Sequence, residues 1–203
     1  MNTEDNFEKI ITWKPGMEWE VAIEEMHRRR EMVRRMGGRE RIDRQHSEGK
    51  LTVRERIERL VDKDTFFEVG SLMGKGKYDK NGDIVDFTPA AFVCGLAEIC
   101  GRLVTVGGED FTIHGGSPVG VHKRHEFFMH PMALQYGVPY VAFHDGAGAS
   151  AAAYEAAGKM PLPDGRMWWN DVQMLSRVPV VGAIMGSAGI GPGLSLQESC
   201  ILV

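Results

Sequence analysis

VPVVGAIMGSAGIGPGLS, residues 178–195, begins as a smooth apolar run and breaks into glycines at Gly186, Gly189, Gly191 and Gly193. The first half is short and β-branched, the pattern of a strand buried on both faces in a parallel sheet. The second half exposes backbone N–H groups at a turn. A dinucleotide, a phosphate and a developing oxyanion can each be held by such groups, and each implies a different enzyme.

The dinucleotide fingerprint fails in its details. It needs Gly or Ala three residues after Gly191, where Leu194 stands, and Pro192 interrupts the loop. No Gly-Lys pair followed by Ser or Thr closes the run, which excludes a Walker A loop. Neither Ser187 in MGSAG nor Ser150 in GAGASA has glycines at both positions of a nucleophile elbow, and both read as turn residues.

An oxyanion site needs two N–H donors aimed at one point, one of them preferably at a helix N-terminus, where the dipole adds positive potential. A matching turn lies upstream. VPYVAFHD (138–145) is a second buried-strand run, and it leads into GAGAS. That turn offers the N–H of Gly148 or Ala149; the later one offers Gly191, because Pro192 has no N–H. Taken singly, each glycine is accounted for by a tight strand-to-helix turn. Their recurrence after successive strands favours the paired-donor reading.

Further towards the N-terminus, AFVCGLAEI and RLVTVGG flank Cys100-Gly101 and predict a hairpin. Ser117 with Pro118 predicts a helix start, running through VGVHKRHEFFMHPMALQYG with a kink at Pro131. TFFEVGS (65–71) reads as a strand and GKGKYDKNGD (74–83) as an exposed loop. Thr52 and Glu55 form a capping box ahead of Ile57, Leu60 and Val61. Trp19, Ile23, Met26 and Val33 predict an apolar stripe on a helix ended by Gly37 and Gly38. The order hairpin, helix, strand, helix, strand, helix is α/β. CILV at the end reads as the start of another buried strand, so the sequence is expected to be part of a larger unit.

Composition sets wider bounds. The 203 residues are 43% hydrophobic and 26% charged, which suits one sizeable core. A net charge of -4 without a basic tail argues against nucleic acid and against an anionic membrane surface. Cys94, Cys100 and Cys200 show no CxxC pairing and read as core thiols. The N-terminus MNTEDNFEKI is unlike a targeting peptide, and no apolar run reaches the ~20 residues of a membrane span, so a cytoplasmic protein is expected. His122, His125 and His130 share a candidate helix with Lys123 and Arg124, but HKRHE is not HExxH; a solvated face is expected and no metal. Lys123 and Arg124 could also meet the phosphates of a large anion.

GGRERIDRQHSEGKLTVRERIERLVDKDTFFEVGSLMG (37–74), EDFTIHGGS (109–117), YGVPYVAFHDGAGAS (136–150) and VPVVGAIMGSAGIGPGLS (178–195) together resemble the carboxyltransferase β subunits of biotin-dependent acyl-CoA carboxylases, of the propionyl-CoA and methylcrotonyl-CoA carboxylase type. The resemblance covers the first part of that family's length. It implies a crotonase-like (ClpP/crotonase) ββα-repeat domain over 65–203, cut short at its C-terminal end, after a helical segment at 1–64. It also implies carboxyl transfer from carboxybiotin, borne by a biotin carboxylase or biotin carboxyl carrier partner, to the α-carbon of an acyl-CoA in a homo-oligomer.

By similarity, Gly148 and Ala149 match the first oxyanion turn and Gly191 the second. Lys50, Arg54, Lys123 and Arg124 are candidates for CoA contacts, with a solvated face as the alternative for each. The family turn commonly reads DSGGAR, so Ser150 stands where that turn has an arginine, and against the family pattern MPLPDGRMWWND (160–171) reads as a longer or altered loop beside the pocket. Another crotonase-fold CoA-ester enzyme, a decarboxylase or hydratase, and a non-catalytic assembly subunit remain as other readings.

Overall fold

The computed structural model describes residues 19–117, 128–148, 165–186 and 199–202. Three helices come first: α1 (Trp19–Arg34), α2 (Arg39–Ser47) and α3 (Val53–Leu60). Strands β1 (Phe67–Glu68), β2 (Gly74–Tyr78), β3 (Ile84–Pro89), β4 (Phe92–Ile99) and β5 (Arg102–Glu109) follow. A 3₁₀ turn (His114–Gly116), α4 (His130–Tyr136), β6 (Tyr140–His144), α5 (Gly165–Leu175), β7 (Val180–Ile184) and β8 (Ser199–Leu202) complete the described chain.

Six strands form one sheet in the order β1-β4-β5-β6-β7-β8. The hairpin sets its frame. Cys100 and Gly101 have φ of 51° and 71°, the left-handed pair whose twist matches that of the flanking strands, and β4 and β5 pair antiparallel from Phe92↔Glu109 to Ile99↔Arg102. From β5 onward the pairing is parallel through β6, β7 and β8. Residues of β6 alternate between two apolar clusters. Tyr140 and Ala142 pack with Met129 just before α4, with Ala133 on α4 and with Met174 on α5. Phe143 packs with Val53 and Ile57 on α3 and with Val104 and Val106. Both faces are covered, which explains why the parallel strands read as continuous apolar runs. Ile57 is fully buried, and such burial contributes about 2 kcal/mol.

The capping box forms as expected: the Thr52 hydroxyl accepts the Glu55 N–H, and the Glu55 carboxylate accepts the Thr52 N–H at 2.7 Å. Other expectations are corrected. GKGKYDKNGD is largely a hairpin, with β2 and β3 forming a separate two-stranded sheet around a turn in which Asp79 accepts the N–H groups of Asn81 and Asp83. The α1 stripe is buried only at its C-terminal end, through Met32 and Val33, while Trp19 is 72% and Ile23 46% exposed. The segment GRMWWND belongs to α5.

Cys94 is buried as expected, whereas Cys100 is exposed at the hairpin tip. His130 is buried rather than solvated, its Nε2 lying 3.1 Å from the Tyr140 hydroxyl. Pro131 stands in the first turn of α4, directly after the π-helical residues Phe128 and Met129. His122, His125 and the expected helix start at Pro118 lie outside the described residues.

Candidate active site

The C-terminal ends of β6 and β7 stand side by side. His144 is in register with Ile184, and one more rung follows as the Met185 N–H donates to the His144 carbonyl at 2.9 Å. Parallel neighbours lie about 4.8 Å apart, so the turns opening at Asp145 and Gly186 leave the same edge of the sheet next to each other. Gly148 has a φ of 75°, the left-handed region expected of a glycine in such a turn. Ala149, Gly191, Lys123 and Arg124 lie outside the described residues.

A third turn, quoted in the sequence only as EDFTIHGGS, supports the first. His114, Gly115 and Gly116 are all left-handed, at φ 51°, 63° and 68°. This brings the Gly115 carbonyl to the Ala147 N–H at 2.8 Å. A methyl group at Gly116 would sit 2.7 Å from the Asp145 carbonyl oxygen, so the two backbones approach as closely as glycine alone permits.

Asp145 is the centre of this arrangement. Its Oδ2 accepts a hydrogen bond from Arg56 Nη2 at 2.6 Å, and the two side chains are 1% and 5% exposed. Its other oxygen, Oδ1, is buried and has no hydrogen-bond partner among the described residues. A Cβ at Gly186 would meet that oxygen at 2.2 Å, so the second turn begins in contact with the carboxylate of the first. On the opposite face of the sheet, Glu109 Oε2 accepts the Asp145 N–H at 3.3 Å, and Glu109 Oε1 lies 3.5 Å from His144 Nδ1.

Neighbouring polar groups fix the approach to the third turn. Asp110 accepts the N–H of Thr112 at 3.0 Å and its hydroxyl at 2.5 Å; Thr112 Oγ1 in turn accepts the Gly37 N–H at 2.9 Å. Burial raises the Asp110 carboxyl above the usual range, against the two Thr112 hydrogen bonds and the positive charge of Arg54.

Of the residues named for CoA, Arg54 directs two nitrogens to Glu68, at 2.8 and 2.9 Å. Lys50 lies 3.8 Å from Glu48 and 5.6 Å from the centre of the Phe111 ring. Arg56 and Asp145 were not singled out in the sequence. Arg56 lies in the charge-rich run VRERIER, between Glu55 and Ile57, and its partner is 89 residues away. The only local signal was the buried position of Ile57 beside it.

An antiparallel hairpin feeding successive parallel strands, with glycine turns at their ends, defines a crotonase-like α/β domain. The chain belongs to the carboxyl transferase domain family, whose model matches residues 44–195. It is 33% identical over 178 residues to the propionyl-CoA carboxylase beta chain of Roseobacter denitrificans, covering 83% of this chain and 32% of that protein. It is 29% identical over 171 residues to methylmalonyl-CoA decarboxylase subunit alpha of Veillonella parvula, covering 83% of this chain and 33% of the relative.

Among solved structures, transcarboxylase 12S with methylmalonyl-coenzyme A and methylmalonic acid bound is similar at a TM-score of 0.72 and 27% identity, over 93% of this chain and 37% of that one. That work describes a hexamer assembly. The chain thus spans about a third of the length of the curated relatives it matches.

Proposed function

We propose that this chain provides the acyl-CoA half of a biotin-dependent carboxyl transfer, holding a CoA thioester while its α-carbon is carboxylated. Loss of the α-proton converts the thioester to an enolate whose oxygen carries negative charge, and the chain's part is to stabilise that oxygen. The donors are the N–H of Gly148 or Ala149 from the first turn and of Gly191 from the second; one such donor contributes about 3 kcal/mol to a transition state. Carboxybiotin, borne by a biotin carboxylase or carrier partner, would supply the carboxyl group to the α-carbon as CO₂, and the ureido anion that its departure leaves would accept the α-proton.

The observation that carries this reading is the register of β6 and β7, with His144 opposite Ile184, which starts both glycine turns from adjacent points. Lys50, Arg54, Lys123 and Arg124 are proposed for the CoA phosphates. The hexamer reported for transcarboxylase 12S supports a homo-oligomer, and we place the reaction in the cytoplasm.

A decarboxylase stands among the relatives, and loss of CO₂ from a malonyl-type CoA ester passes through the same enolate, so a second reading is set against the first. The two readings differ in the fate of the carboxyl group. With the complete polypeptide and its biotin carrier, transfer of labelled carboxyl to propionyl-CoA is expected. Absence of transfer to any short acyl-CoA overturns the proposal, and CO₂ release without biotin supports the decarboxylase. At residue level, Gly191→Pro should lower kcat by about 100-fold or more. A folded variant that keeps its activity sinks the donor role.

A further inference from the structure

We infer that Arg56 and Asp145 are positioning residues, a buried ionic brace that sets the first glycine turn against the second. For its kinetic readout the inference rests on the carboxyl-transfer reading; for its structural readout it does not.

Four contacts converge on Asp145, and each comes from a different part of the chain. Arg56 on α3 holds Oδ2 at 2.6 Å, and Glu109 at the end of β5 holds the backbone N–H at 3.3 Å. Gly116 of the left-handed turn lies against the carbonyl, and Gly186 at the start of the second turn lies against Oδ1. The residue is therefore fixed in side chain, N–H and carbonyl at once. Two residues further on, Ala147 is tied to Gly115.

Stability alone is a poor reason for such a pair. Two charges removed from water lose hydration that their mutual attraction only partly restores, and a well-packed apolar pair of similar volume often stabilises as well or better. Oδ1, without a partner among the described residues, adds to that cost, because a buried acceptor without a donor keeps its full desolvation penalty. What an apolar pair lacks is direction. A charged hydrogen bond of 2.6 Å fixes the position of Oδ2, and, with the Asp145 N–H held by Glu109, it limits the path of the backbone leading to Gly148. Misplacing a catalytic group by about 1 Å costs on the order of 100-fold in rate, so direction is worth holding at a site built from backbone donors.

The test uses the complete enzyme with its carrier. An Arg56→Met/Asp145→Val double variant removes both charges at similar volume and is expected to melt near the wild-type temperature. Its kcat should fall by about 30- to 100-fold with the KM for acyl-CoA unchanged. Amide exchange at Ala147 and Met185 should be about 10-fold faster, since a loosened turn opens more often. Arg56→Lys keeps the charge without the planar fork and should fall between wild type and the double variant in both readouts.

A double variant with wild-type kcat and wild-type amide protection overturns the brace, and so does a rise in KM at constant kcat. Should the double variant not fold, Arg56→Lys decides: wild-type kcat and protection overturn the inference. If the wild-type enzyme transfers no carboxyl group, the proposed reaction fails, and amide exchange alone decides on the brace.

Discussion

Two arginines on one short helix meet opposite surroundings. Arg54 faces the sheet edge, where it forms a two-point contact with Glu68 on β1, the side chains being 25% and 20% exposed. Arg56 faces the end of β6, where its contact with Asp145 is sealed from water. The outer pair keeps part of its hydration, so losing it costs less than losing the inner one. The inner pair has surrendered that hydration, and loss of either member strands a charge in the interior. Burial, rather than bond length, separates a contact that trims the sheet edge from one on which the site depends.

This contrast can be broken at its inner side first. Asp145→Ala leaves Arg56 buried without a partner and should destabilise the fold by about 3–5 kcal/mol, read as a lowered denaturation midpoint. Gly186→Ala places a methyl group on Asp145 Oδ1 and should cost about 1–3 kcal/mol; an unchanged midpoint would mean that the two turns are not in contact.

At the outer side, Arg54→Ala should cost only about 1 kcal/mol. It also probes the proposed CoA contact: a weaker KM for acyl-CoA supports that role, and an unchanged KM assigns Arg54 to Glu68 alone.

The smallest effect is expected at the start of the same helix. Burial pushes the Glu55 carboxyl up, but hydrogen bonds from His46, the Thr52 N–H and the Thr52 hydroxyl, with the charge of His46, outweigh it and lower the group from 4.5 to about 2. A carboxyl depressed by folding stabilises the native state above its ordinary value and loses that contribution as pH falls through its folded value. The stability difference between wild type and Glu55→Gln should therefore be present at pH 6 and shrink between pH 4.5 and about 2. Because Glu55 is partly exposed, screening keeps the whole difference below about 1 kcal/mol.

What could be read from the sequence was local. The Thr52–Glu55 box, the Cys100-Gly101 turn and the runs before Asp145 and Gly186 each carry their signal within a few residues. The β2–β3 hairpin was missed because GKGKY lacks apolar alternation: its strands pair in a separate sheet with little to bury. The α1 stripe misled for the converse reason. Trp19 and Ile23 have the right spacing, but only the C-terminal end of the helix is buried.

At the candidate site, the strands β6 and β7 that lead into Asp145 and Gly186 were legible because both are short β-branched apolar runs. Arg56–Asp145 was not, since no pattern in VRERIER distinguishes the arginine that turns inward from the one that turns to the edge. Likewise, HGGS gives no warning that its backbone supports another turn 30 or so residues on, because that depends on β5 and β6 being neighbours.

The left-handed run at His114–Gly116 also bears on how a map of tolerated substitutions should be read. Gly116, like Gly108 and Gly186, leaves no room for a methyl group beside neighbouring atoms. In a saturation scan all three should appear as intolerant as reacting residues, although their intolerance would arise from steric exclusion. A footprint drawn from such a scan would outline the scaffold of the pocket together with its chemistry, and only variants that fold but fail to turn over would tell the two apart.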